Sequence, residues 1–420
     1  MRKYHTILVF FLIVSSNALS QEGKVIVKKA TNGFLIQVGS KPFFVNGMNW
    51  DYYPIGTNFK YSLWQQPDKT IKEALNYEMP LLRKMGVNTI RQYTGIPPEW
   101  IKYIFQNYGI YTVLNHPFGR YGLTLNGKWE SNTDYSNDLV RETLVKEVEE
   151  MVFLYKSTPG LLMFLLGNEN NYGLFWQGAE TENIPLENRK STTAAINLYK
   201  LFNEAAISMK AIDTNHPIAI CNGDLMFLDI IAMECKEVDV LGVNIYRGLS
   251  FGDSFEKIKS SLNKPVMFTE FGADAFNEIT KVEDQHNQAT CLVANWKEIY
   301  ANAAGGGKAE NCIGGFTFQF SDGWWKSGQT KNLSTHDSTA SWSNGGYKYD
   351  YQKGLFNMNE EWFGVCAKGD SNTNGVYSLY PRASYYELKK LNKKYTHSIL
   401  KNVQYNQTKN VMRQKWLINK

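Results

Sequence analysis

The stretch LLMFLLGNEN, residues 161–170, decides how the chain folds. Its apolar run is bounded by Pro159-Gly160 on one side and Gly167 on the other, too short a span for a buried helix. It reads as a strand covered on both faces, as strands of parallel sheets are. Asn168 and Glu169 follow directly, so an amide and a carboxylate are presented just past the carboxyl end of that strand. In parallel α/β folds that end carries the chemistry.

Seven comparable runs lie around it. Before it come Phe43 to Asn49, VNTIRQY from Val87 and IYTVLNH from Ile110; after it come PIAICNG from Pro217, VDVLGVNIY from Val238, PVMFTEF from Pro265 and IGGFTFQF from Ile313. The segments between them, such as Ile71 to Met85, Leu139 to Tyr155 and Leu198 to Ile212, carry apolar residues at i, i+3 and i+4. Eight strands alternating with helices predict an α/β fold, a closed (β/α)₈ TIM barrel over residues 43–395. An open doubly wound sheet is the alternative, and the lack of a glycine-rich phosphate loop after the first strand argues against it. Residues 21–42 alternate apolar and polar side chains around Asn32-Gly33, which predicts a short β-hairpin lead-in. Two long connections, residues 172–191 after the fourth strand and 321–380 after the eighth, should overhang the mouth of the barrel. The segment ASYYELKKLNKKY predicts a last helix closing the fold near Tyr395.

The N-terminus has Arg2 and Lys3, the apolar run Ile7 to Val14, and Ala18-Leu19-Ser20 before Gln21. That order describes a secretory signal peptide over residues 1–20, so a secreted or periplasmic protein is expected, with no integral membrane segment. Without Arg2 and Lys3 the formal charge falls from +5 to about +3. From Lys389 to the end there are nine Lys or Arg and no acid, a basic tail over residues 396–420 that no nucleic-acid motif accompanies. It reads as a solvated terminal segment. Five cysteines without C-x-x-C spacing are expected as buried free thiols, with a disulfide through Cys366 as the alternative. The six histidines show no metal spacing, so neither a metal nor a cofactor is expected. The run DSNTNG from Asp370 begins like a calcium loop but has Pro381 at its twelfth position, and AAGGGKAE around Lys308 lacks the first glycine of a phosphate loop.

Glu169 ends the fourth run and Glu270 the seventh. A carboxylate inside so apolar a run needs a partner or a function, because burying it alone is costly. In a barrel the two point into one mouth from opposite sides, the arrangement that glycosidic cleavage needs. Either alone could equally be a salt-bridged structural residue. Arg91 on the second strand would keep Glu270 ionised, or else brace the barrel floor. Tyr246, in VNIY, is placed to donate to the same carboxylate, or else to fill core, and Asn244 in that run is a further substrate-binding candidate. An apolar setting would hold Glu169 protonated, as an acid at neutral pH requires. Trp50, Asp51 and Tyr52 after the first strand, and His116 after the third, are candidates for sugar hydroxyls, His116 being equally readable as a satisfied half-buried histidine. Trp176, Trp342 and Trp362 in the long loops are expected to pack.

With NE after the fourth strand, TEFGAD at the seventh and VNTIRQY on the second, the chain resembles clan A glycoside hydrolases over roughly residues 40–395. It is most similar to the catalytic barrel of glycoside hydrolase family 2. The resemblance implies that Glu169 is the general acid/base, Glu270 the nucleophile, and Asn168 the ligand of the hydroxyl next to the anomeric carbon. It also implies that a tryptophan after the eighth strand, Trp324 or Trp325 in SDGWWKSG, floors the cleavage subsite. Family 2 enzymes carry β-sandwich domains before the barrel, whereas this chain has room there only for the lead-in. The expected function is therefore a retaining β-glycoside hydrolase on β-linked oligo- or polysaccharide, a β-glucan by analogy. A glucanosyltransferase and a catalytically silent carbohydrate-binding protein are the alternatives.

Overall fold

Eight strand-forming runs deliver the eight strands of a closed parallel barrel in the computed structural model, which describes residues 23–30, 33–93, 95–174, 192–326, 328–339, 341, 358–396 and 401. The strands are β1 (Val45–Asn49), β2 (Thr89–Gln92), β3 (Tyr111–His116), β4 (Leu161–Leu166), β5 (Ile218–Gly223), β6 (Val240–Asn244), β7 (Val266–Phe271) and β8 (Cys312–Thr317). Each pairs in parallel with its sequence neighbours, and β8 pairs with β1 to close the ring. The expected barrel is therefore the observed fold. The signal-peptide residues 1–20, most of the basic tail, Trp176 and Trp342 lie outside the described residues.

Seven helices connect the strands: α1 (Asp68–Met85), α2 (Pro98–Tyr108), α3 (Asp138–Tyr155), α4 (Thr192–Ile212), α5 (Leu228–Glu234), α6 (Ser254–Leu262) and α7 (Gln285–Ala301). In α1 the buried positions Ile71, Ala74, Leu75, Glu78, Met79, Leu82 and Met85 form one stripe against the sheet, and the helix stops at Gly86 in the left-handed conformation. At the start of α3, the Asn137 side chain caps the helix by accepting from the Val140 amide at 3.2 Å. An eighth helix, residues 383–396, donates from Tyr385 Oη to Leu81 O at 2.8 Å and from Asn392 Nδ2 to Met85 O at 3.1 Å, and so docks on α1.

The lead-in is the expected antiparallel hairpin, Val25–Lys29 with Phe34–Val38, extended by a third strand, Lys41–Phe43, so that Phe43 belongs to it and not to β1. Its Val25 and Ile36 pack with Val45, Val113, Met163, Ala219, Val240 and Ile313 inside the barrel. Backbone bonds from Val25 to Asn215 O and from Phe34 to Glu310 O tie it to the residues that precede β5 and β8. One end of the barrel is thereby plugged with apolar side chains, and polar chemistry is confined to the other.

After β8 the chain does not simply overhang the mouth. It forms an antiparallel pair, Cys366–Ser371 with Tyr377–Pro381, bridged to Ser321. Arg382 clamps that excursion with a buried bidentate pair to Asp322 at 2.6 and 2.7 Å. All five cysteines are buried and none is in a disulfide, Cys366 included. Among the described residues no helix is long and apolar enough to cross a membrane, and no group of His, Cys, Asp or Glu could hold a metal ion.

Candidate active site

The polar mouth is assembled from strand ends, and Arg91 is its hub. Period-two alternation along β2 turns Thr89, Arg91 and then Tyr93 inward. Arg91 is fully buried, and a guanidinium without partners there would be prohibitively costly. It donates from Nη1 to Glu270 Oε1 at 2.9 Å and to Thr269 O at 3.1 Å. From Nη2 it reaches Asn115 Oδ1 at 2.7 Å and Asn168 Oδ1 at 2.9 Å. One side chain thus ties together the ends of β2, β3, β4 and β7.

Glu270, only 7% exposed, accepts three charge-assisted hydrogen bonds. Besides Arg91, Tyr93 Oη donates to its Oε1 at 2.6 Å and Tyr246 Oη to its Oε2 at 2.9 Å. The surroundings of Glu169 are different. After β4 the chain turns through Gly167 at φ +78, where a Cβ would sit 2.5 Å from Asn170 Oδ1, so only glycine fits. Glu169 itself takes φ +57, an uncommon conformation for a non-glycine residue. Its Oε1 accepts from Asn244 Nδ2 at 3.1 Å. Burial, and after it the negative charge of Glu270, push its carboxyl up to about 7, against the opposing Asn244 bond and the charges of Arg120 and Arg91.

Asn244, Asn168 and Arg91 link the two carboxyl groups in a hydrogen-bonded chain. Asn244 Nδ2 also lies 3.2 Å from Asn168 Oδ1, and its own Oδ1 accepts from Thr269 Oγ1 at 2.7 Å. Two more carboxyls border the mouth. Asp51, past β1, is raised to about 7 by burial and by Glu270, opposed by Arg91 and Lys368. Glu360, in the excursion after β8, is raised to about 7 by burial and then by Glu270.

The structure brings Glu169, Glu270, Asn168, Arg91, Tyr246 and Asn244 together, and it separates others from them. Trp50 is 1% exposed and donates its indole N–H to Glu78 Oε2 of α1 at 2.6 Å, so it belongs to the core and has no face for a sugar. His116 is the outward residue of its strand: its Nε2 faces Glu147 of α3 at 3.5 Å and its Nδ1 accepts from the Phe118 amide at 3.2 Å. Burial lowers it to about 4, and Asn115 takes the inward place beside it. Trp324 stacks on His336 at 4.6 Å, and His336 in turn on Trp362 at 3.7 Å. Trp325 packs edge-on against Tyr53 at 5.3 Å. The residue that directly follows β8 is Phe318, edge-on to Tyr246 at 6.3 Å.

Tyr93, Asn115 and Cys221 escaped the sequence reading, although alternation along VNTIRQY, IYTVLNH and PIAICNG points each of them inward. The Cys221 thiol sits beneath the two asparagines, 3.2 Å from Asn244 Oδ1 and 3.5 Å from Asn168 Oδ1.

No family model matches the chain. A segment of 135 residues, 30% of the chain, is 31% identical to the probable 1,3-β-glucanosyltransferase GAS3 of Saccharomyces cerevisiae. The match spans 23% of that curated relative's length. Among solved structures, the β-D-glucuronidase of Dictyoglomus thermophilum aligns with TM-score 0.55 at 17% identity, over 89% of this chain and 54% of its own. The family 2 β-galacturonidase of Eisenbergiella tayi, solved bound to galacturonate, aligns with TM-score 0.52 at 14% identity, over 88% and 54%. A β-glucuronidase from an uncultured Clostridium aligns with TM-score 0.54 at 16% identity, over 88% and 53%. The chain shares the barrel fold of these glycosidases and spans about half the length of each.

Proposed function

We propose that the protein is an exported retaining β-glycosidase acting on β-linked oligo- or polysaccharides, a β-glucan in the first instance. The reading rests on one observation above the others: two carboxyl groups share a mouth but have opposite surroundings. Glu270 accepts hydrogen bonds from a guanidinium and two phenols, whereas burial together with the charge of Glu270 favours the neutral form of Glu169.

In the proposed reaction Glu270 attacks the anomeric carbon while Glu169 gives its proton to the leaving oxygen. The C–O bond breaks and a glycosyl ester forms on Glu270. Glu169, now ionised, takes a proton from water, whose oxygen displaces Glu270 and regenerates both groups. Asn168 and Asn244 are the proposed ligands of the sugar hydroxyls, and Trp325 a proposed stacking surface. Asp51 and Glu360 add two carboxyl groups at the mouth that can hydrogen-bond sugar hydroxyls. The leader-like residues 1–20 support export.

The test is chromatography of products from β-linked glucans, mannans, galactans and uronides, with wild type beside Glu270→Ala. Release by wild type alone is the expected result; equal release by both proteins would refute the assignment. Transfer to a sugar in place of water is the second reading, favoured by the local similarity to a glucanosyltransferase. Products longer than the substrate at high oligosaccharide concentration would distinguish it.

A further inference from the structure

The connection after β3 leaves two aromatic rings exposed, one of them bonded to the residue that precedes Glu169. Tyr121 is 58% exposed and Trp129 59%, large ring surfaces to leave uncovered. Scattered exposed aromatics need no explanation, but these two are held in place. Tyr121 Oη accepts from Asn168 Nδ2 at 2.9 Å, which fixes the ring next to the residue that precedes Glu169. The Arg120 guanidinium lies 5.6 Å from the Tyr121 ring centroid and donates from Nε to Asn168 O at 3.1 Å, a second tie to the same point. Burial above all, and after it the proximity of the Glu169 and Glu270 carboxyls, raises the pKa of the Tyr121 hydroxyl against the Asn168 bond and the Arg120 charge.

Trp129 is brought alongside by a small hairpin, Leu123–Leu125 with Lys128–Glu130. The hairpin turns at Asn126-Gly127, and Trp129 is thereby laid against Gly122, whose φ is +103 and where a Cβ would lie 2.6 Å from Trp129 Cζ2. The indole therefore lies directly over the backbone that follows Tyr121, and only glycine allows that approach.

A pyranose has an apolar C–H face and a polar rim, and tyrosine and tryptophan match it with an apolar ring and a polar tip. The acid/base carboxyl must lie on the side of the scissile bond where the leaving oxygen departs, and this is the carboxyl beside Tyr121. We propose that Tyr121 and Trp129 form a leaving-group subsite, a stacking platform for a neutral pyranose on the far side of the scissile bond from Glu270. The inference rests on the glycosidase reading and deepens it: the same platform would receive an acceptor sugar in transfer.

A glycosyl fluoride has a leaving group too small to touch the platform, which separates the two questions. The experiment measures kcat/KM on β-glucosyl, β-mannosyl, β-galactosyl and β-glucuronosyl fluorides and on the matched β-linked trisaccharides, for wild type, Tyr121→Ala, Tyr121→Phe and Trp129→Ala. Loss of one stacking face should cost about tenfold on the trisaccharide relative to the fluoride in Tyr121→Ala. Tyr121→Phe, which keeps the ring, should keep the wild-type ratio, and Trp129→Ala should lower it. An equal fall on both substrates would mark a structural role through Asn168 and overturn the proposal. So would unchanged ratios, or a wild type that cleaves fluorides and no trisaccharide. A wild type without Glu270-dependent cleavage of either substrate would overturn the glycosidase reading itself.

Discussion

Replacing Arg91 by Met should be the most damaging single change in the mouth, and its cost can be argued from contacts. The guanidinium is fully buried, pairs with Glu270 at 2.9 Å and donates to Asn115, Asn168, Tyr93 and Thr269 O as well. Methionine fills similar volume but leaves Glu270 as a buried carboxylate without a counter-charge. Breaking a buried pair from one side costs about 3–5 kcal/mol, because the partner's desolvation is no longer compensated. For a chain of this length that is a fall in Tm on the order of 5 °C. The companion variant Glu270→Gln removes the charge and keeps the shape, and the double variant Arg91→Met/Glu270→Gln should recover about half or more of the loss seen in Arg91→Met alone. Urea unfolding of the four proteins, followed by tryptophan fluorescence, gives the coupling directly. Strict additivity of the two single changes, or a cost of Arg91→Met below about 1 kcal/mol, would refute the claim that this pair organises the site.

Three further outcomes follow from the same geometry. Since Glu169 is held up to about 7 and must be protonated to act as the acid, kcat/KM should fall as the pH rises above about 7, and Glu169→Gln should abolish that limb of a measured pH profile. Tyr246→Phe removes one donor, at 2.9 Å from Glu270 Oε2, and should lower kcat/KM by about 10–100-fold in steady-state assays with little change in Tm, since a hydrogen bond to a charged group contributes about 1.5–3 kcal/mol. Asp51, Glu169 and Glu360 are raised to about 7 and Asp274 to about 8, so above their ordinary values the native state binds more protons than the unfolded chain, and stability declines as pH rises through those values. Between about pH 6.5 and 7.5, past the range in which His116 acts in the opposite sense and before that in which Lys368, lowered to about 8 by burial, does so, calorimetric Tm should fall, and a rise would contradict the assignment of buried neutral carboxyls.

The barrel was legible because its strands are buried on both faces, so that short apolar runs punctuated by turn residues mark each one. The carboxylates were legible for the complementary reason, as polar residues ending runs such as LLMFLLGNE and PVMFTE. The orientation of their neighbours was less visible. His116 and Asn115 are adjacent, and only the phase of the pleat decides that Asn115 faces Arg91 while His116 faces α3. Trp50 looked available because it follows a strand end, yet a buried acceptor on α1, Glu78, draws its N–H into the core. Two consecutive tryptophans at 324 and 325 carried no sign of which would be taken up by His336, because that stack depends on a contact with Trp362 across the excursion after β8. Tyr121 and Trp129 sit in a connection without apolar periodicity, and their placement depends on a bond to Asn168 and a close approach at Gly122.

The proposed double displacement requires that Glu270 form a covalent bond to the sugar. It is tested most directly by incubating the protein with a 2-deoxy-2-fluoro glycosyl fluoride of the sugar it releases, digesting it, and mapping the mass increment by tandem mass spectrometry. One equivalent of glycosyl label on the peptide containing Glu270, and none in Glu270→Gln, is the expected result. Label on Glu169, or turnover of true substrate with inversion at the anomeric carbon and no label at all, would contradict it.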